Sequence, residues 1–137
     1  MQAWIAAVMG QINSAGLATV MGNQPSVNLD AAPESAVMPL IVIEAKASSV
    51  RHDLALNRYM DVQADITVYG ELLSAAVAGA QAIAAAIDGV NFAVAGMTLL
   101  ASRVIESPAA SLVTINSAGV PVYQVRQRVS GKLFAAR

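Results

Sequence analysis

One pair of neighbouring side chains in this sequence has the chemistry of a catalytic acid–base pair. His52, the single histidine, is followed directly by Asp53. Adjacent residues of a strand point to opposite faces, so the two groups are poorly placed to act together. No G-x-S-x-G nucleophile motif accompanies them. The pattern therefore favours an exposed turn histidine over a catalytic one.

The remaining candidate residues for chemistry have the wrong spacing. Asp61 and Asp65 are four residues apart, so on a strand they share a solvent-facing side without forming a carboxylate dyad. Gly79, Gly89 and Gly96 follow neither phosphate-loop nor dinucleotide spacing. With one histidine, no cysteine and no EF-hand-like group of carboxylates, the sequence predicts no metal site and no cofactor. The chain is therefore predicted not to be an enzyme.

Basic residues are concentrated near the end of the sequence. Residues 107–137 contain four basic and no acidic residues, whereas residues 1–106 contain nine acidic and four basic ones. Arg126 and Arg128 share one face of a late strand with Gln124. That face has three possible roles: a solvated surface, a contact with another subunit, or a contact with phosphate groups. We take these three residues as candidates for a subunit interface.

The composition indicates one domain whose surface is covered by neighbours. A chain of 137 residues has the size of a single domain, so residues 1–137 are assigned to one. The sequence is 56% hydrophobic and only 12% charged, against about 25% charged in an average soluble domain. Its net charge of −1 argues against a dedicated nucleic-acid binder. The apolar stretch 72–87 is shorter than the roughly 20 residues of a membrane span, so no membrane segment is predicted.

The periodicity predicts an α+β fold. A helix is expected over residues 1–15, because Met1, Trp4, Ile5, Val8, Ile12 and Ala15 fall on one face at i, i+3, i+4 spacing. A long loop over 17–37 and a sheet with a central helix over 38–134 are expected to follow. Strands are expected near 40–47, 59–69, 92–95, 97–106, 112–115 and 120–129. The main order α-β-β-α-β-β predicts an antiparallel or mixed sheet of about four strands, with two helices packed on one face.

The central helix, near residues 71–88, has alanine where a surface helix normally carries lysine and glutamate. Its predicted core, formed with the alternating strand before it, is Ile66, Val68, Leu73, Val77, Ile83 and Ile87. The alanines of its back include Ala78, Ala82 and Ala85. We expect this back to be contacted by the first helix or by another subunit, so these alanines are also interface candidates.

Five segments together resemble one known family. They are residues 39–44 (PLIVIE), 65–69 (DITVY), 74–83 (SAAVAGAQAI), 87–89 (IDG) and 122–126 (VYQVR). In order and spacing, over roughly residues 38–130, the chain resembles the tail-completion or tail-terminator proteins of long-tailed bacteriophages and related phage-derived particles. The pattern is a succession of elements rather than a catalytic motif.

The resemblance implies a structural protein of the virion tail and neck. Such proteins form a homo-oligomeric ring, commonly a hexamer, that caps the tail tube, ends its polymerisation and joins the head-tail connector. Expected partners are therefore copies of itself, the tube protein and the connector or adaptor, with passive contact to DNA in the channel. Assembly would take place in the host bacterial cytoplasm. The alternatives are a head-tail adaptor, which usually has more helix, a tube subunit, which has more strand and a long hairpin arm, or a small ligand-binding or enzymatic domain.

Overall fold

Five strands and three helices lie in the described part of the chain. The computed structural model describes residues 1–31, 38–115 and 119–137, with the backbone alone for 106–115. The helices are α1 (Gln2–Asn13), α2 (Leu17–Met21) and α3 (Leu73–Ile87), and the strands are β1 (Ser26–Leu29), β2 (Leu40–His52), β3 (Arg58–Gly70), β4 (Thr98–Ile115) and β5 (Pro121–Ala135). The sheet order is β1-β2-β3-β5-β4. β1 is parallel to β2, and the other neighbours are antiparallel. The α+β class with a mixed sheet is confirmed, with one strand and one helix more than predicted.

The additional helix and strand lie inside the predicted loop 17–37, so the prediction of a loop there is wrong in part. The five-residue α2 lies between Gly16 and Gly22, which adopt left-handed backbone conformations with φ of 69° and 86°. Such a short helix is too brief to show periodicity. β1 follows and pairs with the first four residues of β2. Residues 32–37 of the predicted loop lie outside the described residues.

The hydrophobic core lies between the helices and one face of the sheet. Four of the residues predicted for it are fully buried, namely Ile66, Val68, Ile83 and Ile87. Val77 is half-buried and packs against them. The prediction for Leu73 is wrong, since its side chain is 43% exposed. Leu73 is the first residue of α3, and the buried stripe of that helix starts one turn later, at Ala76.

The other two helices of the chain cover part of the back of α3. The predicted face of α1 is confirmed, because Trp4, Val8 and Ile12 are completely buried. Gln11 Nε2 of α1 donates a hydrogen bond of 3.0 Å to the carbonyl oxygen of Ala86. At Gly79 the missing side chain makes room for Met21 of α2, whose Sδ would lie 2.5 Å from an added Cβ. The expectation that the first helix contacts this back is therefore correct.

Two strands are longer than predicted because irregularities interrupt their alternation. The first predicted strand ended near residue 47, but β2 continues past a shift in register at Lys46 to His52. β4 is one strand across the region where short separate strands were predicted, and it continues through Pro108. Shifts in register lie at Leu100, Ile105, residues 107–108 and residue 113. β4 is an edge strand, where a bulge and a missing N–H are tolerated.

Candidate functional site

The Asp53 carboxylate, beside His52, closes the β2–β3 turn. Its Oδ1 accepts hydrogen bonds from the backbone amides of Ala55 (2.9 Å) and Asn57 (3.0 Å), and its Oδ2 accepts one from Asn57 Nδ2 (3.0 Å). The hydrogen bond from the Asn57 side chain is the main cause of the lowered pKa of Asp53. Both oxygens therefore stabilise the turn, and His52 lies exposed at the end of β2.

A charge cluster lies on the sheet face opposite the core. Asp65 of β3 is only 2% exposed. Its carboxylate accepts hydrogen bonds from Arg128 Nε at 2.8 Å and from Arg128 Nη2 at 3.4 Å. Lys46 Nζ and Arg126 Nε each lie 3.8 Å from Asp65 Oδ2, and Lys46 also pairs with Glu44 at 3.0 Å. Burial raises the pKa of Asp65, but the hydrogen bond and charge of Arg128, with the charges of Arg126 and Lys46, lower it by more.

The prediction that Asp65 lies on a hydrated face is therefore wrong. The long side chains of Arg128 and Lys46 cover it, because such side chains lay their aliphatic stems over a surface while keeping the charged end near water. Asp61 lies on the same face and pairs separately with Arg51 at 3.5 Å. As the sequence indicated, the two carboxylates form no dyad.

The structure separates the three interface candidates of β5. Arg128 is held by Asp65 of its own chain, and its side chain is 29% exposed. The side chain of Arg126 is 58% exposed, and its Nε lies 3.8 Å from Asp65 Oδ2. Gln124 is half-buried opposite Tyr69. Arg126 is thus the candidate of these three whose charge is best placed to meet another molecule.

The alanine candidates on α3 are also placed unequally. Ala78 and Ala82 are half-buried, and Ala82 packs against the core, whereas Ala85 is exposed. Since α1 and α2 already cover part of this back, the surface left for a neighbour on α3 is smaller than the sequence suggested.

An apolar tip at the end of the β2–β3 hairpin was missed by sequence reasoning. We define the hairpin tip as Val50, Leu54 and Leu56; Leu54 is fully exposed and the other two are about half exposed. Two leucines within a short polar turn were the signal that could have revealed it. The base of the tip is attached to β5, because the backbone of Arg58 pairs with that of Ala135 and the rings of Tyr59 and Phe134 lie 5.2 Å apart.

An apolar cleft lies between α1 and the β1 edge of the sheet. Its volume is about 350 Å³, and its lining residues are Met1, Gln2, Ile5, Ala6, Met9, Leu29, Asp30, Ile43 and Ala45. Asp30 is the lining residue that has a charged side chain. The cleft and the hairpin tip are two separate apolar features of the surface, and neither depends on the predicted interface residues.

The opposite edge of the sheet carries two further exposed apolar side chains. Leu100 and Ile105 are the extra residues at two bulges of β4, and both are about half exposed. Bulges hinder simple strand-to-strand pairing at an edge. Contact with β4 would therefore use its side chains more than its backbone.

The described parts of the chain show neither a metal centre nor a membrane-spanning helix. Among the described residues, no three histidine or carboxylate side chains lie close enough to hold a metal ion. No helix formed by those residues is both long and apolar enough to cross a membrane.

Comparison with known proteins shows a likeness to solved structures. No protein-family model and no curated protein sequence matches the chain. Among solved structures, it is similar to a chain of the virion of a native gene transfer agent particle, with a TM-score of 0.67 and 18% sequence identity. The match covers 95% of this chain and 93% of that one. At this identity, the likeness establishes a shared fold over nearly the whole of both chains.

Proposed function

We propose that this chain is a structural protein of a phage-type virion, and that its copies form a ring that caps the tail tube. The observation that carries the proposal is the fold shared with a virion chain over 95% of this protein. The five segments that resemble tail-completion proteins support the same assignment independently. In this role the ring ends tube polymerisation and joins the tail to the head connector.

The exposed apolar groups support a role for this chain in assembly with other subunits. The hairpin tip, the cleft, and Leu100 with Ile105 lie at separate places on the fold. A ring needs a heterologous interface, in which one patch of a subunit meets a different patch of the next. A chain with several unlike apolar features provides such patches. The proposed ring is a hexamer, as is common in the family that the sequence resembles.

The partners follow from the proposed position in the particle. One side of the ring would contact the tail tube protein, and the other side the connector or adaptor of the head. DNA leaving the head would pass through the centre and contact the channel wall passively.

A tube subunit is the second candidate, and the β2–β3 hairpin favours it. Both strands of the hairpin have 13 residues, and its tip carries exposed leucines. A long hairpin arm is a feature expected of tube subunits. The two roles differ in the product of assembly, since a tube subunit stacks without limit and a terminator stops at a closed ring.

Electron microscopy and light scattering of the purified protein would test the proposal. Discrete rings of one mass support the terminator, and long tubes support the tube subunit. Adding the protein to a polymerising tube protein of the same particle should then shorten the tubes in proportion to the amount added. A monomer at every concentration, with no effect on tube length, would refute both roles.

A further inference from the structure

The hairpin tip and the apolar cleft are complementary parts of one contact. We propose that the hairpin tip of one copy seats in the cleft of the next copy, with Leu54 and Leu56 entering between α1 and β1. This inference rests on the proposed function, since it supplies the contact between neighbours that a ring requires.

Size and polarity match between the two features. A cavity of about 150 Å³ lined by aliphatic groups holds benzene, a molecule of six carbons. A cleft of about 350 Å³ therefore has room for the eight side-chain carbons of two leucines. Its walls are mostly apolar, with Ile5 and Met9 from α1 and Leu29 from β1. Leucines that are exposed in the single chain would thereby leave water.

Charged side chains lie beside both features. Asp30 lies exposed at the edge of the cleft, and its position is fixed by its amide, which donates a hydrogen bond of 2.9 Å to the carbonyl oxygen of Ile43. Arg51 and Arg58 flank the tip, and both are exposed. Arg51 pairs with Asp61 of its own chain, and the Asp53 carboxylate is bonded within the turn. Arg58 is therefore the better placed of the two to face Asp30. Opposite charges at the rim of an apolar contact set the orientation of the partners and favour their encounter.

The geometry requires two different copies. The cleft ends at Ala45 and the hairpin turn begins after His52, on the same strand β2. Seven residues of strand span about 23 Å, so the tip cannot reach the cleft of its own chain. Each copy offers one tip and one cleft, and in the proposed ring the contact is head-to-tail, with the tip of each copy in the cleft of the next. Such contacts close into a ring or extend as a filament.

Disulfide trapping tests the contact cleanly because the chain has no cysteine. The variant Leu54→Cys with Ala6→Cys places one thiol on the tip and one on the exposed side of α1 in the cleft. After mild oxidation, a denaturing gel without reductant should show a ladder of covalent oligomers that ends at the copy number of the ring. Each single variant should give no ladder. The matched control combines Leu54→Cys with Leu73→Cys, an exposed leucine outside the cleft, and should give none either.

The outcomes separate this inference from the proposed ring. Wild-type rings without a ladder in the tip–cleft pair would overturn the contact and leave the ring standing. Covalent dimers from Leu54→Cys alone would overturn it as well, because they indicate a symmetric tip-to-tip contact. A ladder without an upper limit, alongside tubes, would support the contact while the terminator role fails. Since Leu54 and Leu56 are exposed, changing both to glutamate should leave a folded chain, checked by circular dichroism, whose oligomers are lost.

Discussion

Replacing Asp65 by asparagine tests the charge cluster, because asparagine keeps the size of the side chain and removes its charge. The main partner is Arg128, whose Nε lies 2.8 Å from a carboxylate oxygen that is almost fully buried. A hydrogen bond to a charged group contributes about 1.5–3 kcal/mol. Lys46 and Arg126 are more than a third exposed and lie farther away, so each adds at most a few tenths of a kcal/mol. Asp65→Asn should therefore lower the free energy of unfolding by about 2–3 kcal/mol at pH 7.

The same change predicts how stability depends on pH. The folded pKa of Asp65 is below its unfolded value, which is about 3.9. The contribution of the carboxylate is therefore fully present above the unfolded pKa and is lost as the pH falls through the lower folded pKa. Urea titrations of both proteins should show a difference in unfolding free energy that is constant near neutrality and shrinks below about pH 4.

A matched control uses the other carboxylate of β3. The side chain of Asp61 is 41% exposed and pairs with Arg51 at 3.5 Å, so Asp61→Asn should cost less than about 1 kcal/mol. A loss from Asp65→Asn no larger than that of the control, or a loss that stays the same in acid, would contradict the role assigned to Asp65.

Three further substitutions follow from the packing and the charges. Ile83→Ala should lower the free energy of unfolding by about 2–5 kcal/mol, measured in urea, because Ile83 is fully buried; a loss under half a kcal/mol would contradict the assigned core. Gly131→Ala should lower the free energy of unfolding by about 1–3 kcal/mol, since an added Cβ would lie 2.7 Å from Trp4 Nε1. Its control is Gly10→Ala, which should be neutral or stabilising because no atom lies within 4 Å of the added Cβ. Arg126→Gln removes the charge without adding a carboxylate near Asp65. It should leave folded monomers that no longer form rings in light scattering, and intact rings at wild-type stability would remove Arg126 from the interface.

Strong local periodicity made the central part of the fold predictable. The alternation of β3 and the i, i+3, i+4 pattern of α1 and α3 located these elements within a few residues. α2 and β1 could not be found, because elements of five and four residues are shorter than the window over which a period shows. β4 was divided into short strands because its bulges at Leu100 and Ile105 reset the alternation and Pro108 resembled a stop.

The charge cluster could not be predicted from the sequence for a topological reason. Lys46, Asp65 and Arg128 come from three different strands, and Asp65 and Arg128 are 63 positions apart. They meet because β5 lies between β3 and β4 instead of at the edge. Strand order of this kind depends on long-range pairing, which local patterns do not encode. The sequence could show that Arg126 and Arg128 share a strand, but not that β3 supplies their counter-charge.

That strand order also changes the meaning of the uneven charge distribution. Segment 107–137 has four basic residues and no acidic one, which taken alone indicates a basic surface. In the fold, β5 lies beside β3, so Arg128 is neutralised by Asp65 of its own chain. Replacing both arginines by glutamate would place a new carboxylate against Asp65 and destabilise the subunit itself, so lost rings would not identify an interface. Changing Arg126 alone tests whether charge contributes to the contact between copies. The apolar tip and cleft provide the surface area that the contact buries. Affinity between copies would then come from buried leucines, with charge setting their orientation.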